Sequence, residues 1–68
     1  MKIGEIEFGG IYRSKAGAER EVTELTSWRE VGFIVRECGT GGGNHKARGA
    51  TGSMKLASFA HWAQRRVK

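Results

Sequence analysis

The sequence predicts an α+β fold: a small, strongly bent antiparallel β-meander of three or four strands, closing toward a partial barrel, with one C-terminal α-helix. Three observations carry this prediction. Short β-branched and aromatic runs, punctuated by glycine-bearing turns, fill the first half of the chain. Apolar residues at helical spacing fill its end. At 68 residues the chain has room for a single domain, 1–68. A domain of that size buries only about 60% of the surface its unfolded form exposes, so a sheet bent on itself is the economical way to enclose a core.

Residues 3–8 do not hold a two-residue period, because Ile3 and Ile6 fall out of phase, and they read as an irregular lead-in. Gly9-Gly10 allows a tight bend or a bulge. Residues 10–14 and 20–25 flank Lys15-Ala16-Gly17-Ala18, a turn-sized segment whose glycine can take positive φ, and together they predict a hairpin. Residues 27–30 read as the next connection. Residues 31–36 (Val-Gly-Phe-Ile-Val-Arg) form the strongest strand signal, near-continuously apolar and therefore expected to be buried on both faces. Residues 39–49 hold five glycines and are expected to form a flexible loop, since glycine loses the most entropy on ordering. Residues 51–56 predict a short closing strand. A helix is expected over 57–67, with Leu56, Phe59, Ala60, Ala63 and Val67 on one buried stripe, Trp62 at its margin, and Ser53 as a candidate N-cap. Arg65, Arg66 and Lys68 would then lie in its last turn, where positive charge complements the helix dipole.

Composition narrows the class. Apolar residues at 38% and charged residues at 28% fit a globular domain. Six aromatic residues suffice for one core. There is no run of 18 apolar residues, so no membrane span is expected. The charged N-terminus, lacking an apolar segment, does not read as a secretory signal. One cysteine, Cys38, makes no internal disulfide, which implies a reducing cytoplasm; at a strand end it reads as a small buried apolar residue.

The net charge of +5 is segregated. All seven glutamates precede position 38, against six cations there, for a net of −1. The remainder carries Lys46, Arg48, Lys55, Arg65, Arg66 and Lys68 with no acid, for a net of +6. Such asymmetry points to nucleic acid or another polyanion; the alternative is a basic surface that only keeps the protein dispersed.

The segment Gly10-Ile11-Tyr12-Arg13-Ser14-Lys15-Ala16-Gly17-Ala18-Glu19-Arg20-Glu21-Val22 resembles the opening hairpin of small SH3-like barrels, including KOW-type modules. Combined with the ending Met54-Lys55-Leu56-Ala57-Ser58-Phe59-Ala60-His61-Trp62-Ala63, it is similar to a group of short bacteriophage and prophage proteins. The two segments cover about a third of the chain. The resemblance implies a barrel-like sheet, a bacterial or phage-infected cell as the setting, and a binding role. It assigns nothing to the glycine loop.

Catalytic and nucleotide motifs fail on mechanism. A P-loop requires glycine before its lysine and Ser or Thr after it, whereas Lys46 lies between His45 and Ala47; the dinucleotide pattern started at Gly39 and Gly41 meets Asn44 where glycine is needed. The absence of aspartate weighs against carboxylate catalysis. Glu37, Cys38 and His45 are separated by flexible glycines that deny a nucleophile its preorganised base. The spacings of Cys38, His45 and His61 match no zinc pattern. No enzyme, cofactor, metal or small-molecule substrate is therefore expected. Lys46 and Arg48, among exposed glycine amides, read either as contacts to a phosphodiester backbone or as solvated charges on a spacer. Arg65, Arg66 and Lys68 form a second basic cluster, readable as helix-end electrostatics or as a binding face. Tyr12 and Trp62 read as core, whereas Trp28 sits between polar Ser27 and Arg29 in a turn and reads as a contact residue. The expected function is a non-enzymatic binding module. It would contact nucleic-acid backbone through the basic loop and helix end, or alternatively, as a phage-type accessory, an acidic surface on a host protein. A monomer or a weak homodimer through an open sheet edge is expected.

Overall fold

The computed structural model describes residues 1–39 and 48–68. Its five antiparallel strands form one sheet: β1 (Ile11–Ser14), β2 (Glu19–Leu25), β3 (Glu30–Glu37), β4 (Thr51–Lys55) and β5 (Ala63–Arg66), in the order β4-β3-β2-β1-β5. The helix α1 (Leu56–Trp62) joins β4 directly to β5, the two edges of the sheet. That connection forces the bend. Four inter-strand steps of about 4.8 Å would set the edges of a flat sheet about 19 Å apart, whereas a helix of seven residues spans only about 10 Å. Register shifts in the β1–β5 and β2–β3 ladders mark where the curvature is taken up. The result is the expected α+β partial barrel, with the helix bridging its open side. No helix among the described residues is long and apolar enough to cross a membrane.

The strands follow their sequence signals closely. Tyr12 and Ser14 of β1, Val22 of β2, and Val31, Phe33 and Val35 of β3 point inward at alternate positions. Gly32 and Ile34 are only half-buried, so β3 is covered fully on one face rather than on both. Gly17 takes the positive φ of 88° that the β1–β2 turn requires, and Gly9 takes 82° at the bend after the lead-in. The lead-in itself forms a 3-10 turn at Ile3–Glu5 and delivers Ile6 to the core.

The C-terminal segment departs from expectation. The helix ends at Trp62 instead of reaching residue 67, and residues 63–66 leave it as a fifth strand paired with β1. Ala63, expected on the helix stripe, is buried, but as the first residue of β5. Val67 donates its N–H to the Ile11 carbonyl at 2.8 Å, extending the pairing beyond the strand. Ser53 lies in β4 and Lys55 holds the N-cap position. Cys38 is exposed beyond the end of β3 instead of buried. The expected loop 39–49 falls mostly on residues 40–47, outside the described residues.

Four of the six aromatics build the core or its edge. Phe59 is the hub: its ring meets Tyr12 edge-on at 5.6 Å, and Phe33 and Trp62 at tilted contacts of 6.2 and 5.3 Å. The wholly buried Tyr12 hydroxyl accepts from the Glu7 N–H (2.7 Å) and donates to the Glu5 carbonyl (2.9 Å), pinning the lead-in across the sheet. Phe8 and Trp28 lie outside this core, 70% and 86% exposed, so they add nothing to its packing.

Candidate functional site

The sheet's antiparallel order sorts its charges to two ends. One end carries the β1–β2 turn, the end of β3, the approach to β4 and the start of β5. Here Arg13, Ser14, Lys15, Ala16, Gly17, Gln64 and Arg65 line an open notch of about 500 Å³. Arg13 and Arg65 are direct cross-strand partners in the β1–β5 ladder, so their side chains leave the same face of the sheet. The register then slips: Ser14 faces Ala63, and Gln64 is the extra residue of a bulge. The bulge keeps Ala63 inward while Arg65 stays outward beside Arg13. The Arg13 guanidinium extends toward the turn, its Nη2 3.9 Å from where a side chain on Gly17 would begin.

One carboxylate tempers this notch. Glu19 approaches the Arg13 Nε at 3.7 Å, a loose and half-exposed contact. No ion pair joins Lys15 or Arg65 among the described residues. Ser14 is only 8% exposed, and its Oγ is buried without a hydrogen-bond partner. That hydroxyl faces inward with Tyr12, so the notch itself is walled by the cations, and a concavity of that charge is suited to an anion.

The other end of the sheet carries the β2–β3 turn, the start of α1 and the chain terminus. Trp28 stands in that turn above a second concavity of about 290 Å³, lined also by Ile3, Arg29, Glu30, Lys55 and Ala57. Arg29 holds a positive φ of 59°, rare for a residue with a side chain. Its carbonyl accepts from the Leu56 N–H at 2.7 Å, which locks the turn to the helix and keeps Trp28 in solvent.

The residues singled out in the sequence are thus distributed, not gathered. Arg65 belongs to the notch. Arg66, one residue on, turns the other way: it bonds the Glu7 Oε1 at 2.5 Å and the Lys68 carbonyl at 2.8 Å, and lies 5.8 Å from the Tyr12 ring centre, so a lead-in glutamate pairs its charge. Lys68 is exposed beside Ile11 at the terminus. Arg48 is exposed just before β4, on the notch end of the sheet by connectivity. Lys46 lies outside the described residues. Neither Arg65, Arg66 nor Lys68 sits at a helix end.

Sequence reasoning missed Arg13 and Lys15 because their partner strand was read as helix, which hid the Arg13–Arg65 pairing. It also missed Arg20. That side chain faces inward from β2 between the Phe33 and Trp62 rings, 4.5 and 4.3 Å from their centres, and Nη1 donates to the Met54 Sδ at 3.5 Å. Burial pulls its guanidinium below the ordinary arginine range; the two π faces offset part of that desolvation. Arg20 is a structural cation, not a second anion site. No protein-family model, curated protein or solved structure matches this chain.

Proposed function

We propose that this chain is a small non-enzymatic binding module that contacts nucleic-acid backbone through the basic end of its sheet. The observation that carries the reading is the convergence of Arg13, Lys15 and Arg65 on one notch, two of them directly opposed across β1 and β5. Arg48 approaches from the same end, and Lys46 precedes it in the sequence. The contact is electrostatic and reads phosphate, not base sequence. The resemblance of the first hairpin to SH3-like and KOW-type modules, and of the chain to short phage proteins, supports a binding role in the cytoplasm of a bacterial or phage-infected cell. Neutralising three phosphates on a duplex gives a log–log salt slope of about −2.7, so affinity is expected to fall roughly fortyfold between about 50 and 200 mM salt. Fluorescence anisotropy with labelled single- and double-stranded oligonucleotides measures this directly. A double variant, Lys15→Ala with Arg65→Ala, is expected to reduce the slope by about 1.8. Absence of binding at the lower salt overturns the reading.

A second reading rests on the opposite end. The exposed Trp28 shares its concavity with apolar Ile3 and Ala57, two cations, Arg29 and Lys55, and one carboxylate, Glu30, which fits an apolar anchor on an acidic protein surface. Capture from nuclease-treated bacterial lysate separates the two, since a partner lost on digestion supports nucleic acid. One lost instead on Trp28→Ala supports protein. Among the described residues β4 and β5 are the outer strands of the sheet, and their outer edges offer a route to weak self-association, which sedimentation reads.

A further inference from the structure

The end of the sheet opposite the notch carries apolar surface that the core does not use. The exposed large apolar side chains among the described residues, Ile3, Phe8, Leu25 and Trp28, all belong to the lead-in, the end of β2 or the turn after it. Arg29, next to Trp28, takes a left-handed φ of 59°, a strained conformation for a residue with a side chain. The turn is nevertheless firmly braced. The Thr26 N–H donates to the Glu30 carbonyl (3.0 Å), the Arg29 N–H to the Thr26 carbonyl (3.1 Å) and the Leu56 N–H to the Arg29 carbonyl (2.7 Å). A strained, braced turn that leaves a tryptophan in solvent points to a contact between molecules.

We infer that this end is a two-fold interface between copies of the chain, each Trp28 seated in the concavity of the other copy. Such a contact is independent of nucleic-acid binding and leaves both notches open at the far ends of the two sheets. Shape argues for a second copy. A projecting indole beside a recess lined by Ile3 and Ala57 is a knob next to a hole, the self-complementary surface that an isologous contact requires. The recess, about 290 Å³, is just below the range of about 300–1,000 Å³ typical of small-molecule pockets, and it suits one large side chain. Charge agrees. Arg29, Glu30 and Lys55 bring both signs to the same recess. Glu30 and Lys55 are register partners in the β3–β4 ladder, yet none of the three forms an ion pair among the described residues. A two-fold rotation brings the Glu30 of one copy toward the cations of the other, whereas a uniformly acidic foreign surface would oppose Glu30 with like charge. Extent sets the strength. One indole buries about 150–250 Å², so two of them with Ile3 and Ala57 fall short of the roughly 1,200 Å² at which stable interfaces begin. The dimer is therefore weak, forming at protein concentrations on the order of 0.1–1 mM.

The test is sedimentation velocity of the full chain from about 10 µM to about 1 mM, with a reductant present so that the exposed Cys38 does not crosslink copies. The mean sedimentation coefficient is expected to climb from the monomer toward the dimer value over that range. Trp28→Ala, which removes an exposed side chain from outside the core, is expected to stay folded and monomeric throughout. Glu30→Lys sets like charges across the axis and is expected to weaken the dimer at least about fivefold. An equal mixture of Glu30→Lys with Lys55→Glu is expected to associate more tightly than either variant alone, because opposite charges then meet in the mixed dimer. No climb up to about 1 mM overturns the interface, and a protein partner that is then lost on Trp28→Ala assigns the surface to a foreign chain. A climb that persists in Trp28→Ala overturns it in favour of the sheet edges. A climb lost in Trp28→Ala, with no gain from mixing the charge variants, overturns the two-fold arrangement. None of these outcomes bears on the notch, whose oligonucleotide binding is read separately.

Discussion

Phe59 and Tyr12 decide whether this chain folds. In a domain of this size one aromatic hub carries a large share of the core: Phe59 is wholly buried and touches Tyr12, Phe33 and Trp62 together. Truncating a buried phenylalanine to alanine costs about 3–5 kcal/mol, comparable with the whole stability of a domain below about 70 residues. Phe59→Ala is therefore expected to be unfolded at room temperature by near-UV circular dichroism, while Phe59→Leu stays folded with a lowered melting temperature. A native-like Phe59→Ala spectrum would remove the hub from the account. Gly10 matters for a different reason. Its φ is unremarkable, but a side chain there would lie 2.7 Å from the Tyr12 hydroxyl oxygen, and that ring cannot retreat because both its hydrogen bonds and its packing fix it. Gly10→Ala is expected to cost about 1–3 kcal/mol by overpacking, read as a lower melting temperature. At the surface, Trp28 should be quenched readily by iodide and the half-buried Trp62 much less so. A Trp28→Phe variant left with most of the quenchable signal would contradict the placement of Trp28.

At the scale of elements, the instructive segment is 63–66. Its residues, Ala-Gln-Arg-Arg, follow a helix without any glycine or proline to stop it, and all four have good helix propensity. What ends the helix is tertiary: the edge of β1 offers a ladder of backbone partners, and the terminal segment fills it. Propensity is a weak prior against such pairing. The hairpins, by contrast, were legible because their signals are local: Gly17 in its turn, β-branched runs on either side, and Val31, Phe33 and Val35 alternating inward. Of the five positions expected on one buried helical stripe, Leu56, Phe59, Ala60 and Ala63 are buried, Ala63 as a strand residue, whereas Val67 is only half-buried beyond β5. The site was less legible. Arg65 was named from the sequence, but its partners Arg13 and Lys15 lie about 50 residues away and are joined to it only by the β1–β5 pairing. No local pattern encodes that.

The opposed arginines give an element-scale expectation. Arg65→Glu would face Arg13 with an opposite charge, replacing a repulsion by an attraction worth about 0.2–1 kcal/mol. It is expected to raise the melting temperature by a few degrees, at about 4–8 °C per kcal/mol in a domain of this size, and to weaken oligonucleotide binding. A variant that loses stability would show that the two guanidiniums do not oppose one another.

For the molecule as a whole, the sheet converts a charge imbalance along the chain into a difference between two ends. The acid-free second half of the sequence does not form one positive face: Arg66 is paired by Glu7, Lys55 joins Trp28 and Arg29, and Arg65 goes to the notch. What the fold adds is Arg13 and Lys15 from the nominally acidic half. A net charge of +5 gives long-range attraction to any polyanion, and the notch end, where Arg13, Lys15 and Arg65 share one concavity, is the docking place proposed for it. Nuclear magnetic resonance of the labelled chain, titrated with a short oligonucleotide at low salt, separates these two contributions residue by residue. The expected result is that amide shifts concentrate on residues 13–17 and 63–65, while Trp28, Arg29 and Lys55 stay still. Shifts centred on Trp28, or spread evenly over every exposed cation, would contradict the notch as the place where the protein meets its partner.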